Sequence, residues 1–164
     1  MRRNGFSVIE LLIAVLIIGI IAAIAMGNYF NAIHRAKQKK TMADMRSIAV
    51  AWEARAVDVR QYNAAGAFTM LPESITYQQM STMLIPTYVR DMARTDGWGF
   101  PLEFVADQAV GAATGAATYA IRSPARDGQT EGSSYGGGPT TDFDCDIVYA
   151  SGQFMSWPEG TQQK

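Results

Sequence analysis

Histidine and cysteine each occur once, as His34 and Cys145. A single cysteine excludes an intrachain disulfide, so whatever fastens the C-terminal loops is packing or a metal ion. The same scarcity argues against zinc, which wants more Cys or His than Cys145 and a remote His34. A Ser-His-Asp or Cys-His centre would have to be built around His34, away from the acidic residues near the C-terminus. Cys145 is flanked by Asp144 and Asp146, whose charges raise a thiol's pKa and make it a poor nucleophile. Gly97-Trp98-Gly99 is too short to cradle a phosphate, and Trp98 reads as a core anchor. These absences point away from an enzyme. Net charge is small as well, −1 over 164 residues, but it is unevenly spread. Residues 1–60 carry nine Lys/Arg and four Asp/Glu, whereas residues 61–164 carry five and eleven. The C-terminal part therefore lacks the charge balance of a nucleic-acid-binding domain.

Charge is missing altogether from residues 11–26, where only Gly19 lacks an apolar side chain. With residues 6–9 the run reaches about 20 residues, the length of a helix across a hydrocarbon core. A short basic leader with Arg2 and Arg3 precedes it and ends at Gly5. One acid, Glu10, interrupts the run. At a helix centre a carboxylate costs roughly 2.5–3.5 kcal/mol, less near an end, so Glu10 calls for a partner or snorkels to the interface. A secretory signal peptide would be cut after the apolar run, where Ala22-Ala23 and Ala25 offer small residues. The run is long for that, and an apolar stripe continues beyond it in helical register.

Gly5-Phe6-Ser7-Val8-Ile9-Glu10-Leu11-Leu12 resembles the processing motif of type IV prepilins: glycine, cleavage, phenylalanine, then glutamate as the fifth residue of the mature chain. The resemblance implies that a membrane prepilin peptidase cuts after Gly5 and methylates the new Phe6 amine. It also implies a cytoplasmic leader and one long helix from residue 6 to about residue 58. The first half of that helix would lie in the membrane before assembly and in a filament core afterwards. Glu10 would then pair with the Phe6 amine of a neighbouring subunit, a charge pair in low dielectric that favours one axial register. The positive-inside count alone does not fix the orientation, because Arg35, Lys37, Lys39 and Lys40 follow the apolar run. Many pilins carry proline where this chain has Gly27. Glycine weakens a helix by about 1 kcal/mol against alanine but keeps its N–H, so a soft point is expected at Gly27-Asn28.

Beyond Gly27, apolar residues recur at helical spacing: Phe30, Ile33, Met45, Ile48, Ala49, Trp52, Ala56 and Val59. That stripe needs a partner surface, most simply a sheet. The polar stretch at residues 34–40 has four basic residues but no interleaved aromatic, so it reads as a solvated face or one matched to acidic neighbours, not as a nucleic-acid site. The helix fades near Asn63-Ala64-Ala65-Gly66. An irregular segment follows, punctuated by Pro72, Pro86 and Pro101, with a short helix expected at residues 74–84.

Strands are expected at residues 102–106, 118–122, 147–150 and 153–156, the last two joined by the hairpin signal Ser151-Gly152. A long Gly/Ser-rich loop at residues 128–138 separates the second and third. Leu84-Ile85-Pro86-Thr87-Tyr88-Val89 and Thr95-Asp96-Gly97-Trp98-Gly99-Phe100-Pro101 resemble a segment of the major pseudopilin of type II secretion, with Gly97 replacing a proline. Tyr119-Ala120-Ile121-Arg122-Ser123 with Asp127-Gly128, and Asp144-Cys145-Asp146-Ile147, resemble that family's second strand, Asp-Gly loop and acidic pair. The resemblance implies a structural calcium ion, with Asp127, Asp142, Asp144 and Asp146 as ligands. Calcium takes six to eight oxygens in a flexible cage, which acids at this spacing are able to supply in part. A solvated acidic loop is the rival reading.

The expected fold is α+β: a long N-terminal helix, membrane half plus amphipathic half, on a small antiparallel sheet of three to four strands. The chain divides into a leader at 1–5, a membrane or filament-core helix at 6–27, an amphipathic helix at 28–62, an irregular segment at 63–101, and the sheet with its acidic loop at 102–164. The expected function is that of a structural subunit of a helical filament, a type II secretion pseudopilin before an extracellular type IV pilin. Its implied partners are identical subunits, other pilin-like subunits, the prepilin peptidase and an inner-membrane assembly platform. The globular domain would sit in the periplasm until assembly into a periplasmic pseudopilus or extracellular pilus. A monomeric membrane-anchored module that binds calcium or another ligand is the rival of a different class.

Overall fold

A computed structural model describes residues 6–59, 68–69, 73–108, 116–132, 134–135 and 137–163. The described residues divide into two compact units, one ending at Arg35 and one beginning at Ala36. A single α-helix, α1 (Val8–Val59), supplies all regular structure of the first and opens the second. No proline occurs before Pro72, so nothing removes a backbone donor along its length. The helix runs unbroken through Gly27-Asn28, where the sequence suggests a soft point, because glycine keeps its N–H. The expected helix end near residues 63–66 lies outside the described residues.

In the second unit the buried face of α1 is Gln38, Thr41, Met45, Ile48, Ala49, Trp52 and Ala56. The steps of three and four residues keep one face turned to the core. Met45, Ile48, Ala49 and Trp52 join one cluster with Phe104, Ala106, Tyr119, Ile121, Ile147 and Tyr149 from the sheet. The Trp52 and Tyr119 rings meet at 4.5 Å between centroids, and the Tyr119 hydroxyl donates to Glu53 Oε1 at 2.6 Å.

The remaining elements are β1 (Phe68–Thr69), β2 (Glu73–Ile75), α2 (Tyr77–Leu84), β3 (Glu103–Ala106), β4 (Tyr119–Ser123), β5 (Ser134–Tyr135), β6 (Gly138–Asp142), β7 (Ile147–Ala150) and β8 (Gln153–Gln163). Six strands form one sheet in the order β2-β3-β4-β7-β8-β6, and β1 pairs with β5 apart from it. The α+β class is as the sequence suggests, but the sheet exceeds the expected three to four strands. Nor is it wholly antiparallel, since β6 pairs with β8 in parallel. The four expected strands are present, and β8 runs on to Gln163 instead of stopping near residue 156. Part of the loop at residues 128–138 forms β5. The segment at 63–101 is not all irregular. β2 extends the sheet, and the short helix starts at Tyr77, where Thr76 and Gln79 form a reciprocal capping box.

Period two sorts the central strands. Phe104, Tyr119, Ile121, Ile147 and Tyr149 face the helix, while Val105, Ala120, Val148 and Ala150 form a second small cluster with Met155 packed against it. On the face of that second cluster, Arg122 forms an ion pair with Glu103 and donates from Nη1 to the Gly132 carbonyl at 3.3 Å.

The turn before β3 is built on Asp96, which is 2% exposed. Its Oδ1 accepts the N–H groups of Trp98, Gly99 and Phe100 at 2.9, 2.9 and 3.0 Å, and its Oδ2 accepts the Ser123 hydroxyl at 2.8 Å. Next to it, Gly97 donates its N–H to Thr41 Oγ1 at 2.8 Å. A Cβ on Gly97 would stand 2.5 Å from the Lys37 carbonyl oxygen, so only glycine lets this turn lie against α1. That explains why glycine serves where the resemblance leads one to expect proline.

Candidate functional site

The N-terminal unit presents a helix with no buried face. Every described residue from 6 to 32 is exposed, and the most apolar stretch of α1 has none of its length buried. Val8, Ile9, Leu11, Leu12, Ile20 and Ile24 are each more than half exposed. A helix apolar all round is covered by lipid or by other apolar helices.

At its start, Phe6 and Ser7 precede the helix and Phe6 is 75% exposed. The Ser7 carbonyl accepts the Leu11 N–H at 3.2 Å, and the Ser7 N–H donates to Glu10 Oε2 at 2.9 Å. Glu10 thus folds back over its own helix N-terminus, the acidic half of a capping box. A carboxylate there also meets the positive end of the helix dipole. The signal, Ser7-Val8-Ile9-Glu10, stands in the sequence, but the processing motif drew attention to the charge of Glu10 and away from its hydrogen bond. Gly5 lies outside the described residues.

The second candidate is the acidic loop. The sequence puts Asp142, Asp144 and Asp146 at alternating positions, which on a strand would share one face. The structure breaks that alternation. β6 ends at Asp142, β7 begins at Ile147, and residues 143–145 form a turn and bend in which Phe143 is fully buried. Asp144 engages Arg126 with both oxygens, from Nε to Oδ1 and from Nη2 to Oδ2, each at 2.6 Å. Asp142 Oδ1 accepts the Asp144 N–H at 3.0 Å, and Asp127 Oδ1 accepts the Gln129 N–H at 2.9 Å. Asp146 is fully buried, where its Oδ2 accepts the Glu131 N–H at 2.8 Å and its carbonyl accepts the Ser156 hydroxyl at 2.8 Å.

Among the described residues no three His, Cys, Asp or Glu side chains are grouped to hold a metal ion. Of the four expected calcium ligands, Asp144 gives both oxygens to the Arg126 guanidinium, whereas Asp127, Asp142 and Asp146 each give one oxygen to a backbone N–H, and Arg126 adds a positive charge that opposes a cation. Desolvation and the nearby Asp146 carboxylate raise the Glu131 pKa from its ordinary value. Burial first, then Glu131 and the three aspartates, push the Cys145 thiol up. A groove of about 690 Å³ between α1 and residues Tyr88, Val89 and Phe154 carries Lys39 and Arg46 but no carboxylate or imidazole.

Comparison with known proteins bears on the first of these sites. Residues 1–26 match the family described as "Prokaryotic N-terminal methylation motif", a span that contains Gly5, Phe6 and Glu10. The chain is 43% identical over 47 residues to the "Type IV major pilin protein PilA" of Myxococcus xanthus (strain DK1622). That stretch is 29% of this chain and spans 21% of the relative's length. No solved structure matches.

Proposed function

We propose that this chain, which carries the N-terminal methylation segment of the type IV pilin superfamily, is a structural subunit of a pilin-like filament. The observation that carries the proposal is an apolar helix exposed all round, with a single carboxylate at its start. In a bilayer, lipid covers residues 6–32; in a filament, the same helix from other subunits does. A contact of one surface with a different surface on the next copy does not close, and it generates a helical array. Cleavage after Gly5 would create a positive amine on Phe6, one turn from Glu10. In the single chain Glu10 caps its own helix. In the filament its carboxylate pairs with the Phe6 amine of a neighbour and sets the register.

The two roles of Glu10 are separable. Glutamine at a capping-box position accepts the same backbone N–H without the charge. Glu10→Gln should therefore keep the membrane-inserted subunit and abolish filaments seen by electron microscopy. Filaments of normal abundance from Glu10→Gln would remove the charge-pair role and leave only the cap.

On the kind of filament, the relative is by its printed name a type IV major pilin. That name favours an extracellular pilus over a periplasmic pseudopilus. Sheared cell-surface material should contain the chain as filaments. Recovery only from the periplasm would support the pseudopilin reading instead.

A further inference from the structure

The acidic loop needs a counter-charge, and the fold supplies one. Arg126 lies in the turn after β4, and its backbone N–H donates to the Phe143 carbonyl at 3.2 Å. Its guanidinium carbon lies 5.7 Å from the centre of the buried Phe143 ring. Both oxygens of Asp144 accept from it in the bidentate geometry that favours arginine over lysine. The charge on Arg126 is further stabilised by Asp144, Asp142 and Asp127, three of the four acids that the sequence suggests as calcium ligands. The Phe143 carbonyl fixes the Arg126 backbone, and the ring and the Asp144 carboxylate hold its guanidinium.

We propose that Arg126 is the built-in cation of this loop: its guanidinium, clamped between Asp144 and the Phe143 ring, joins the turn after β4 to the turn before β7, and the fold is thereby independent of calcium. A guanidinium carries one charge and five donors in a plane, so it ties a carboxylate to its own chain, and being part of the chain it is not removed by a chelator. A calcium-held loop loosens when the ion is removed; this loop cannot. Gly128 fits the same design. Its φ is +68°, and a Cβ there would stand 2.4 Å from the Phe100 ring. The Asp127-Gly128 corner therefore turns tightly against the Phe100 ring, and Asp127 spends its Oδ1 on the local turn.

The experiment is thermal unfolding of the full chain in detergent, followed by tryptophan fluorescence, in about 10 mM calcium and in chelator. That concentration exceeds the range of about 10⁻⁴–10⁻³ M for weak extracellular calcium modules. The wild-type Tm is expected to be the same in both, and Arg126→Gln is expected to lower it by about 3–6 °C. Calcium is expected to raise the Tm of Arg126→Gln, because the bared acids then accept an added cation and a ligand bound to the native state stabilises it. The double variant Arg126→Gln with Asp144→Asn should recover most of the loss, since no carboxylate is left unpaired. A wild-type Tm that rises with calcium and falls with chelator overturns the proposal. So does an Arg126→Gln variant as stable as wild type, or a double variant that loses the sum of the two single losses. If Arg126→Gln does not fold, the wild-type calcium response decides, and a double variant that also fails to fold overturns the proposal.

Discussion

Single residues hold this fold at points where a polar or backbone group would otherwise be stranded. Asp96 is the plainest example, because three backbone N–H groups and a buried hydroxyl depend on one carboxylate. Asp96→Ala removes all four bonds, although the Gly99 N–H keeps the backbone carbonyl of residue 96 as a partner, and hydrogen bonds to a charged group are worth about 1.5–3 kcal/mol each before relaxation. A loss of about 3 kcal/mol is expected, read as a drop in denaturant midpoint with an unchanged slope. Gly97→Ala meets helix backbone that cannot yield, so it should cost about 1–3 kcal/mol although it adds only a methyl group. Cys145 bears on reactivity. A raised pKa leaves less thiolate near neutral pH, so alkylation of the native protein should be slower than after unfolding in urea. The native rate should climb as pH rises past the ordinary thiol range. By linkage, neutral Cys145 stabilises the fold below that range, and this contribution is lost as pH climbs through the native pKa. Equal alkylation rates in native and unfolded protein would contradict the burial of this thiol among acids.

Among the elements, the second half of α1 is the platform on which the sheet rests. Trp52 is 6% exposed and stacks on Tyr119, so Trp52→Ala should cost about 3–5 kcal/mol, measured by chemical unfolding. Much of this was legible in the sequence. The steps from Met45 to Ala56 specify the buried face of the helix, and Ser151-Gly152 specifies the hairpin between β7 and β8. What stayed hidden has physical reasons. Gln38 and Thr41 continue the same stripe at the same spacing, but their polarity disguised them. Gln38 is buried because its Nε2 donates to Gln162 Oε1 at 3.2 Å, while Gln162 Nε2 donates to the Thr140 and Glu159 carbonyls at 2.8 and 3.0 Å. That partnership spans the whole unit, and no local pattern announces it. β8 was equally obscure past Ser156, since Pro158 and Gly160 are poor strand residues. It persists because it is joined to β6 by parallel pairing and to α1 by Gln162. Deleting residues 158–164 should therefore destabilise the unit and expose it to limited proteolysis. A truncated chain as resistant as the full one would show that this end of β8 holds nothing. The shared face suggested by the acids did not form for a related reason: alternating residues share a face only on a strand, and the chain turns at Phe143.

For the whole molecule, the two ends carry opposite problems. The N-terminal helix has an apolar surface and no core of its own; the C-terminal unit has a core and a surplus of acid. In the proposed filament, packing of the helix against other copies would answer the first, and the basic residues at 34–40 would offer the second a matched neighbour. The account stands on the beginning of the chain being a processed, filament-forming end. The most direct measurement is the intact mass of the chain purified from membranes. The account predicts loss of residues 1–5 and one added methyl group on a chain that begins at Phe6. A chain that retains Met1-Arg2-Arg3 in assembled material would contradict it, and would leave a membrane-anchored monomer as the better description.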